Sequence, residues 1–201
     1  ENGAASAGIP GLPAALVHLA GEYGRLPLSK SLAPAIRIAR AGFEVYPRLA
    51  GQYAERREVM ERYPSTRAVF MADGDGLEAG ETLRQPDLAH TLELLAQRGV
   101  DGFYRGEVAD EILATTRADG VAWTAADLTG YRIRERTPIR FRYRDMDVVT
   151  APPPSSGGVA LAEMLQVLEG WDLGKLDEPQ RIHLVVEAMR RAYRDRALYL
   201  G

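Results

Sequence analysis

Residues 151–158 read Ala-Pro-Pro-Pro-Ser-Ser-Gly-Gly, a run that neither a helix interior nor a central strand accommodates. Prolines fix φ and carry no N–H, glycines let another backbone come close, and serine hydroxyls cap helices. The run therefore separates two elements. Before it, Ile139, Phe141 and Tyr143 alternate with arginines, and Met146, Val148 and Thr150 continue the period of two beyond Arg144-Asp145. That pattern, running from Arg132 to Thr150, predicts sheet and is the clearest strand signal of the chain. After the run, Leu161, Met164, Leu165 and Leu168 recur at helical spacing until Gly170. Ser155 and Ser156 are expected to cap this helix, or, less simply, to anchor a neighbouring loop. Pro152, Pro153, Pro154, Ser155, Ser156, Gly157 and Gly158 together form the candidate structural loop. Pro179 then opens the last and longest helix, with Ile182, Val185, Val186, Met189, Tyr193 and Leu200 as its expected inward stripe.

Upstream, the pattern is helical. Pro13 suits a first turn, and Leu16, Val17, Leu19, Ala20 and Tyr23 follow at helical spacing up to Gly24. A second helix is expected from near Ser29 and Ser31, with Pro34 in its first turn, Leu32, Ile36 and Ala39 inward, and Gly42 at its end. A third follows Pro47, where Leu49, Tyr53, Val59, Met60 and Tyr63 form a looser stripe beside the charges of Glu55, Arg56, Arg57 and Glu58. Those charges read as a solvated face. Asp73-Gly74-Asp75-Gly76 and Gly80 form a polar loop, and Arg84 stands where a calcium-binding EF-hand would place its closing glutamate. Gln85-Pro86-Asp87 lead into a helix carrying Leu88, Thr91, Leu92, Leu95 and Ala96 and ending at Gly99. Gly102 to Gly106 is a break, after which Val108, Ile112, Leu113 and Thr116 mark a helix ending at Gly120. Thr124-Ala125-Ala126-Asp127 has the spacing of a capping box before a short helix that Gly130 stops. Helix dominates and sheet is scarce, which makes the fold class α+β: mainly helical with one β-hairpin.

The bulk properties narrow the function. Over 201 residues the formal net charge is −3, with acidic and basic side chains interleaved, so nucleic acid is not an expected partner. Cysteine is absent, which removes disulfides, thiolate metal sites and thiol nucleophiles. No stretch approaches the roughly 18 apolar residues of a membrane span. The opening Glu1-Asn2-Gly3-Ala4-Ala5-Ser6 is not a secretory signal.

Thr115 and Thr116 fall inside a predicted helix and read as surface or packing residues. Ser155 and Ser156 lack the Gly-x-Ser-x-Gly elbow. Gly157 and Gly158 have neither the lysine nor the glycine spacing of a phosphate cradle. His183 and Glu187 share a helix face, but His18 and His90 lie in unrelated contexts. The pair is therefore expected to be an intrahelical hydrogen bond or a buried histidine, and not a metal site. Arg40, Arg84, Arg105 and Arg196 are expected in structural ion pairs. No metal, no cofactor, and no catalytic or substrate-binding residue is assigned to this chain.

A series of further landmarks carries a family resemblance. In order they are Gly8-Ile9-Pro10-Gly11, Tyr23-Gly24-Arg25-Leu26-Pro27, Leu32-Ala33-Pro34-Ala35-Ile36, Gly42-Phe43, Gln85-Pro86-Asp87-Leu88-Ala89 and Thr91-Leu92. Gly99, Phe103-Tyr104-Arg105-Gly106, Asp127-Leu128 with Tyr131, the 151–158 run, Glu187-Ala188-Met189-Arg190-Arg191-Ala192-Tyr193 and Asp195-Arg196 follow. Together they resemble the large-subunit portion of the gamma-glutamyltransferase (gamma-glutamyltranspeptidase) family of N-terminal-nucleophile hydrolases, so that residues 1–201 read as a partial large-subunit domain.

The resemblance implies an αββα four-layer sandwich shared with a catalytic small subunit cut from the same precursor. It implies acyl transfer by an N-terminal threonine, with gamma-glutamyl amides such as glutathione as substrate and water or an amine as acceptor. The threonine begins the small subunit, beyond Gly201, and the arginine that holds the substrate carboxylate lies upstream of Gly8. By resemblance the location is periplasmic or secreted. A related acylase, a peptide-polymer transferase, or a non-catalytic helical interaction module remains the alternative.

Overall fold

Among the described residues, five helices begin with a proline in their first turn, where the missing N–H is of no consequence and the fixed φ is already helical. The computed structural model describes residues 3–71 and 76–200, so Asp73, Gly74 and Asp75 of the expected polar loop lie outside the described residues. The chain divides into two units, 1–133 and 134–201.

In the first unit, helix α1 (Leu12–His18) carries Pro13 in its first turn and continues into a wider π turn, Leu19–Tyr23. Helix α2 (Leu28–Ala41) packs against α5 (Pro86–Arg98). Ala39 on α2 and Ala89 on α5 are both buried, small residues that let two helices approach closely. Gly42 ends α2 with φ 88, in the left-handed region that glycine enters without strain. A methyl there would also press on Thr82, Arg84 and the Leu83 carbonyl. This turn delivers strand β1 (Phe43–Glu44) to strand β2 (Thr82–Leu83), with Phe43 opposite Leu83.

Helices α3 (Pro47–Met60) and α4 (Pro64–Phe70) follow β1. Around Val45, Leu77 and Leu83 these elements close a small apolar cluster. Helices α6 (Asp101–Tyr104), α7 (Glu107–Ala118) and α8 (Ala125–Thr129) complete the unit. They gather Tyr104, Ala109, Leu113 and Leu128 with Ala14 into its main core. At the start of α8 the Thr124 hydroxyl accepts from Asp127 N, and the Asp127 carboxylate accepts from Thr124 N at 2.7 Å. The capping box is complete.

The second unit contains strands β3 (Ile139–Tyr143) and β4 (Met146–Thr150), helix α9 (Gly157–Glu169), a 3-10 turn at Leu173–Lys175, and helix α10 (Glu178–Tyr199). Here too small residues are buried at the helix pair, Gly158 and Ala160 on α9 and Ala188 and Ala192 on α10, with Leu168 buried near the end of α9.

Several expectations need correction. Pro34 sits inside α2 and not in its first turn, because the helix already starts at Leu28 with Pro27, rather than a serine, before it. Tyr63 does not belong to α3; its extended backbone precedes the separate helix α4, which Pro64 starts. The Gly102–Gly106 break contains a helical turn, with Gly102 buried against the Leu94 carbonyl. Regular strand begins only at Ile139, although the period of two starts at Arg132. Besides the expected hairpin, β1 and β2 of the first unit form a separate two-stranded sheet.

Most of the inward stripe assigned to α10 faces outward: Ile182 is 55% exposed, Val186 45%, Met189 40% and Tyr193 55%, while Val185 and Leu200 are half-buried. The helix buries Ala188 and Ala192, small residues that let α9 and α10 approach closely.

Leu128 is fully buried, so Leu128→Ala is expected to lower stability by about 2–5 kcal/mol in a denaturant titration followed by circular dichroism. Hydrogen bonds from the Thr124 side chain and backbone hold the Asp127 carboxyl below its ordinary range. Its contribution is present above the ordinary aspartate pKa and is lost as pH falls through the depressed value. Asp127→Asn should therefore flatten the acid limb of the stability profile that wild type shows.

Candidate functional site

The loop 151–158 joins β4 to α9, and α9 is fastened at both ends. In the hairpin, Ile139 stands opposite Thr150, Phe141 opposite Val148 and Tyr143 opposite Met146. At its turn Arg144 has φ 55, a conformation that costs a non-glycine residue about 1–2 kcal/mol. Arg144 N donates to the Glu169 carboxylate at 3.0 Å and Arg144 Nη2 donates to the Trp171 carbonyl at 3.1 Å. These bonds hold the strained turn against the C-terminal end of α9.

At the other end, Ser155 N donates to the Pro152 carbonyl at 3.2 Å, and the Pro153–Pro154 peptide is cis. Gly158 is buried, and a side chain there would run into the Ala151 carbonyl and Thr150. Only glycine admits that approach.

The serines do not cap α9 through their side chains. Ser156 occupies the cap position with φ −78 and ψ −17, a helical conformation, whereas a capping hydroxyl reaches its own helix from an extended one. Its Oγ instead accepts from Arg196 Nε at 2.9 Å. The lesser expectation, anchoring, describes this bond, although the element anchored is helix α10. Ser155 is exposed.

The other candidates fall into structural roles. Thr116 is buried and its hydroxyl donates to the Ile112 and Leu113 carbonyls of its own helix, while Thr115 is exposed. His183 is exposed and is not bonded to Glu187. The Glu187 carboxylate accepts from Arg190 at 2.7 Å and Arg191 at 3.0 Å, which hold its carboxyl below the ordinary range. Arg40 pairs with Glu93 at 2.7 Å and Arg105 with Asp101 at 2.9 Å. Arg196 binds a hydroxyl, and among the described residues Arg84 has no carboxylate partner.

Sequence reasoning missed Arg144, for which an arginine at a hairpin turn gives no signal. It also missed the Asp177–Gln180 capping box that starts α10, which its spacing would have revealed.

The first unit holds a cavity of about 550 Å³ lined by Ala14, Val17, Val100, Tyr104, Leu128 and Tyr131 among others. Tyr104 Oη donates to the Pro10 carbonyl at 2.6 Å and accepts from Ala14 N at 3.2 Å, and its ring stacks on Tyr131 at 5.7 Å. Burial raises its phenol pKa, so the group stays a fixed hydrogen-bonding post. Among the described residues no three metal-ligating side chains cluster.

A family model described as Gamma-glutamyltranspeptidase matches residues 1–201. The chain is 39% identical over 197 residues to a glutathione hydrolase proenzyme of Pseudomonas sp. (strain A14), covering 96% of this chain and 34% of that protein. It is 36% identical over 198 residues to an acylase ACY 1 proenzyme of Pseudomonas sp. (strain V22), covering 98% of this chain and 36% of that protein. The crystal structure of Helicobacter pylori gamma-glutamyltranspeptidase matches with a TM-score of 0.93 at 36% identity, over 98% of this chain and 57% of that chain. The chain belongs to the gamma-glutamyltranspeptidase family, and it spans about a third of the length of these curated relatives.

The loop geometry separates its two glycines. Gly158→Ala is expected to destabilise the protein by about 1–3 kcal/mol through overpacking. Gly157→Ala would meet only the Ser155 Oγ at 3.7 Å and should be tolerated in the same thermal unfolding measurement.

Proposed function

We propose that this chain is a large-subunit portion of an enzyme that cleaves gamma-glutamyl amides such as glutathione and passes the gamma-glutamyl group to water or to an amino-acid or peptide acceptor. The acyl-enzyme forms on an N-terminal threonine of a small subunit matured from the same precursor, and this chain contributes scaffold and no reacting group. A hydroxyl nucleophile needs a base to take its proton and backbone donors to hold the oxyanion; in this reading both belong to the partner. The four-layer sandwich and an exported location, periplasmic or secreted, are parts of the same proposal.

The observation that carries it is the outward stripe of α10. Ile182, Val186, Met189 and Tyr193 recur with the spacing of a core-facing helix and are exposed among the described residues. A contiguous apolar face of that kind marks an interaction surface. The proenzyme names of the relatives support a precursor as the source of what covers it. The loop 151–158 then packs against the small subunit and helps position the reactive core.

The acylase relative, at 36% identity, favours a second reading in which the amide cleaved is not gamma-glutamyl. Assaying the full-length protein for release from a chromogenic gamma-glutamyl amide, with and without an acceptor dipeptide, separates the two. Release that rises with acceptor supports the transferase; none from the gamma-glutamyl amide alongside cleavage of another acyl amide supports the acylase. The 201-residue chain alone is expected to be inactive, and turnover by it would overturn the scaffold reading. Replacing Ser155 and Ser156 by alanine in the full-length protein should lower self-cleavage or turnover. Unchanged maturation, stability and rate would refute the proposed role of the loop.

A further inference from the structure

Helix α1 does not close as an ordinary helix; it widens into the π turn Leu19–Tyr23. Turns of that kind are rare and recur at functional sites, where they re-aim side chains. Here the turn supplies Gly21 and Glu22 to the wall of the cavity in the first unit. Its volume of about 550 Å³ falls within the range of small-molecule sites, about 300–1,000 Å³.

The cavity is apolar in its depth and charged at its mouth. Leu128 and Tyr104 are buried, and the Tyr104 and Tyr131 rings lie parallel to one another. Glu22, Asp101, Arg105 and Arg132 line the same space and are exposed. Asp101 and Arg105 satisfy each other at 2.9 Å. Two groups of opposite charge remain, on different walls. Arg132 Nη1 donates to the Thr129 and Tyr131 carbonyls at 2.8 and 2.7 Å. Those bonds orient the guanidinium and leave its Nε and Nη2 without a protein acceptor among the described residues. Glu22 has no basic partner among the described residues. Between them Gly21 keeps the space open, since a Cβ there would meet nothing within 4 Å.

We infer that this cavity binds a dipeptide-sized zwitterion with both termini free and with aromatic or branched aliphatic side chains in the apolar depth. Glu22 receives the ammonium group, and Arg132 receives the carboxylate through the remaining donors of its fork. An anion alone would face Glu22 and a cation alone would face Arg132, so a molecule carrying both charges is complementary to both walls. The parallel tyrosine pair favours an aromatic guest.

Isothermal titration calorimetry of the full-length protein with phenylalanyl-phenylalanine at about pH 7, where both termini are ionised, tests the site. Wild type should bind the dipeptide. Its N-acetylated and C-amidated forms, each lacking one charge, should bind about ten- to a hundredfold more weakly. Gly21→Leu fills the open space and should abolish binding while leaving thermal unfolding of the free protein unchanged. Glu22→Gln should weaken the dipeptide by the same factor as acetylation does, yet bind the acetylated form as wild type does, because the contact it removes is already missing. This second variant changes an exposed side chain and decides the matter if Gly21→Leu fails to fold. No binding by full-length wild type, the result if the rest of the precursor fills the cavity, would overturn the inference. A dipeptide that binds Gly21→Leu or Glu22→Gln as it binds wild type, the result if it sits at an acceptor site elsewhere, would overturn it equally.

Discussion

Backbone-to-backbone approach around Gly158 is the constraint on which the second unit rests. Because no side chain stands between Gly158 and the Ala151 carbonyl, β4 can run directly into α9 through a short proline-rich connection. Ala160, Ala188 and Ala192 are buried at the same helix pair. A glycine here serves a steric end, since its φ is not in the left-handed region. The polar links follow from that spacing: Arg196 reaches Ser156, and Arg144 reaches Glu169 and the Trp171 carbonyl. None of the three bonds is strong by itself, since exposed polar contacts contribute little. They orient elements that close packing has already brought together.

Much of this architecture was legible in the chain itself. Proline at Pro13, Pro47, Pro86 and Pro179 and glycine at Gly42, Gly99 and Gly170 bound the helices, because those residues act through local backbone geometry that needs no partner. The hairpin was legible from alternation, and α8 from its capping box. What was not legible depends on tertiary context. The two-residue strands β1 and β2 are too short to carry a period. Ser156 has the right residue type and position for a side-chain cap, and only its helical φ and ψ show that the hydroxyl points elsewhere.

The α10 face is the instructive failure. Hydrophobic periodicity identifies a stripe that is to be buried but does not say by what. Ile182, Val186, Met189 and Tyr193 have the spacing of a core helix, while the described residues of this chain meet α10 through its alanines. Both faces are therefore non-polar in part, one small and one large. In a family whose curated relatives are about three times as long as this chain, such a double-faced helix fits a layer with packing on two sides. The candidate site was legible in the same limited sense: the 151–158 run announced itself by composition, and its partner Arg196 did not.

Proline at the start of α1, α3, α4, α5 and α10 has a consequence for the order in which the fold forms. A proline narrows the conformations open to the unfolded chain as well as shaping the folded one. Each of these helices therefore has its point of initiation written locally, independent of any neighbour. Such segments enter collapse with their registers already decided, leaving the meeting of helices to settle only which surfaces touch.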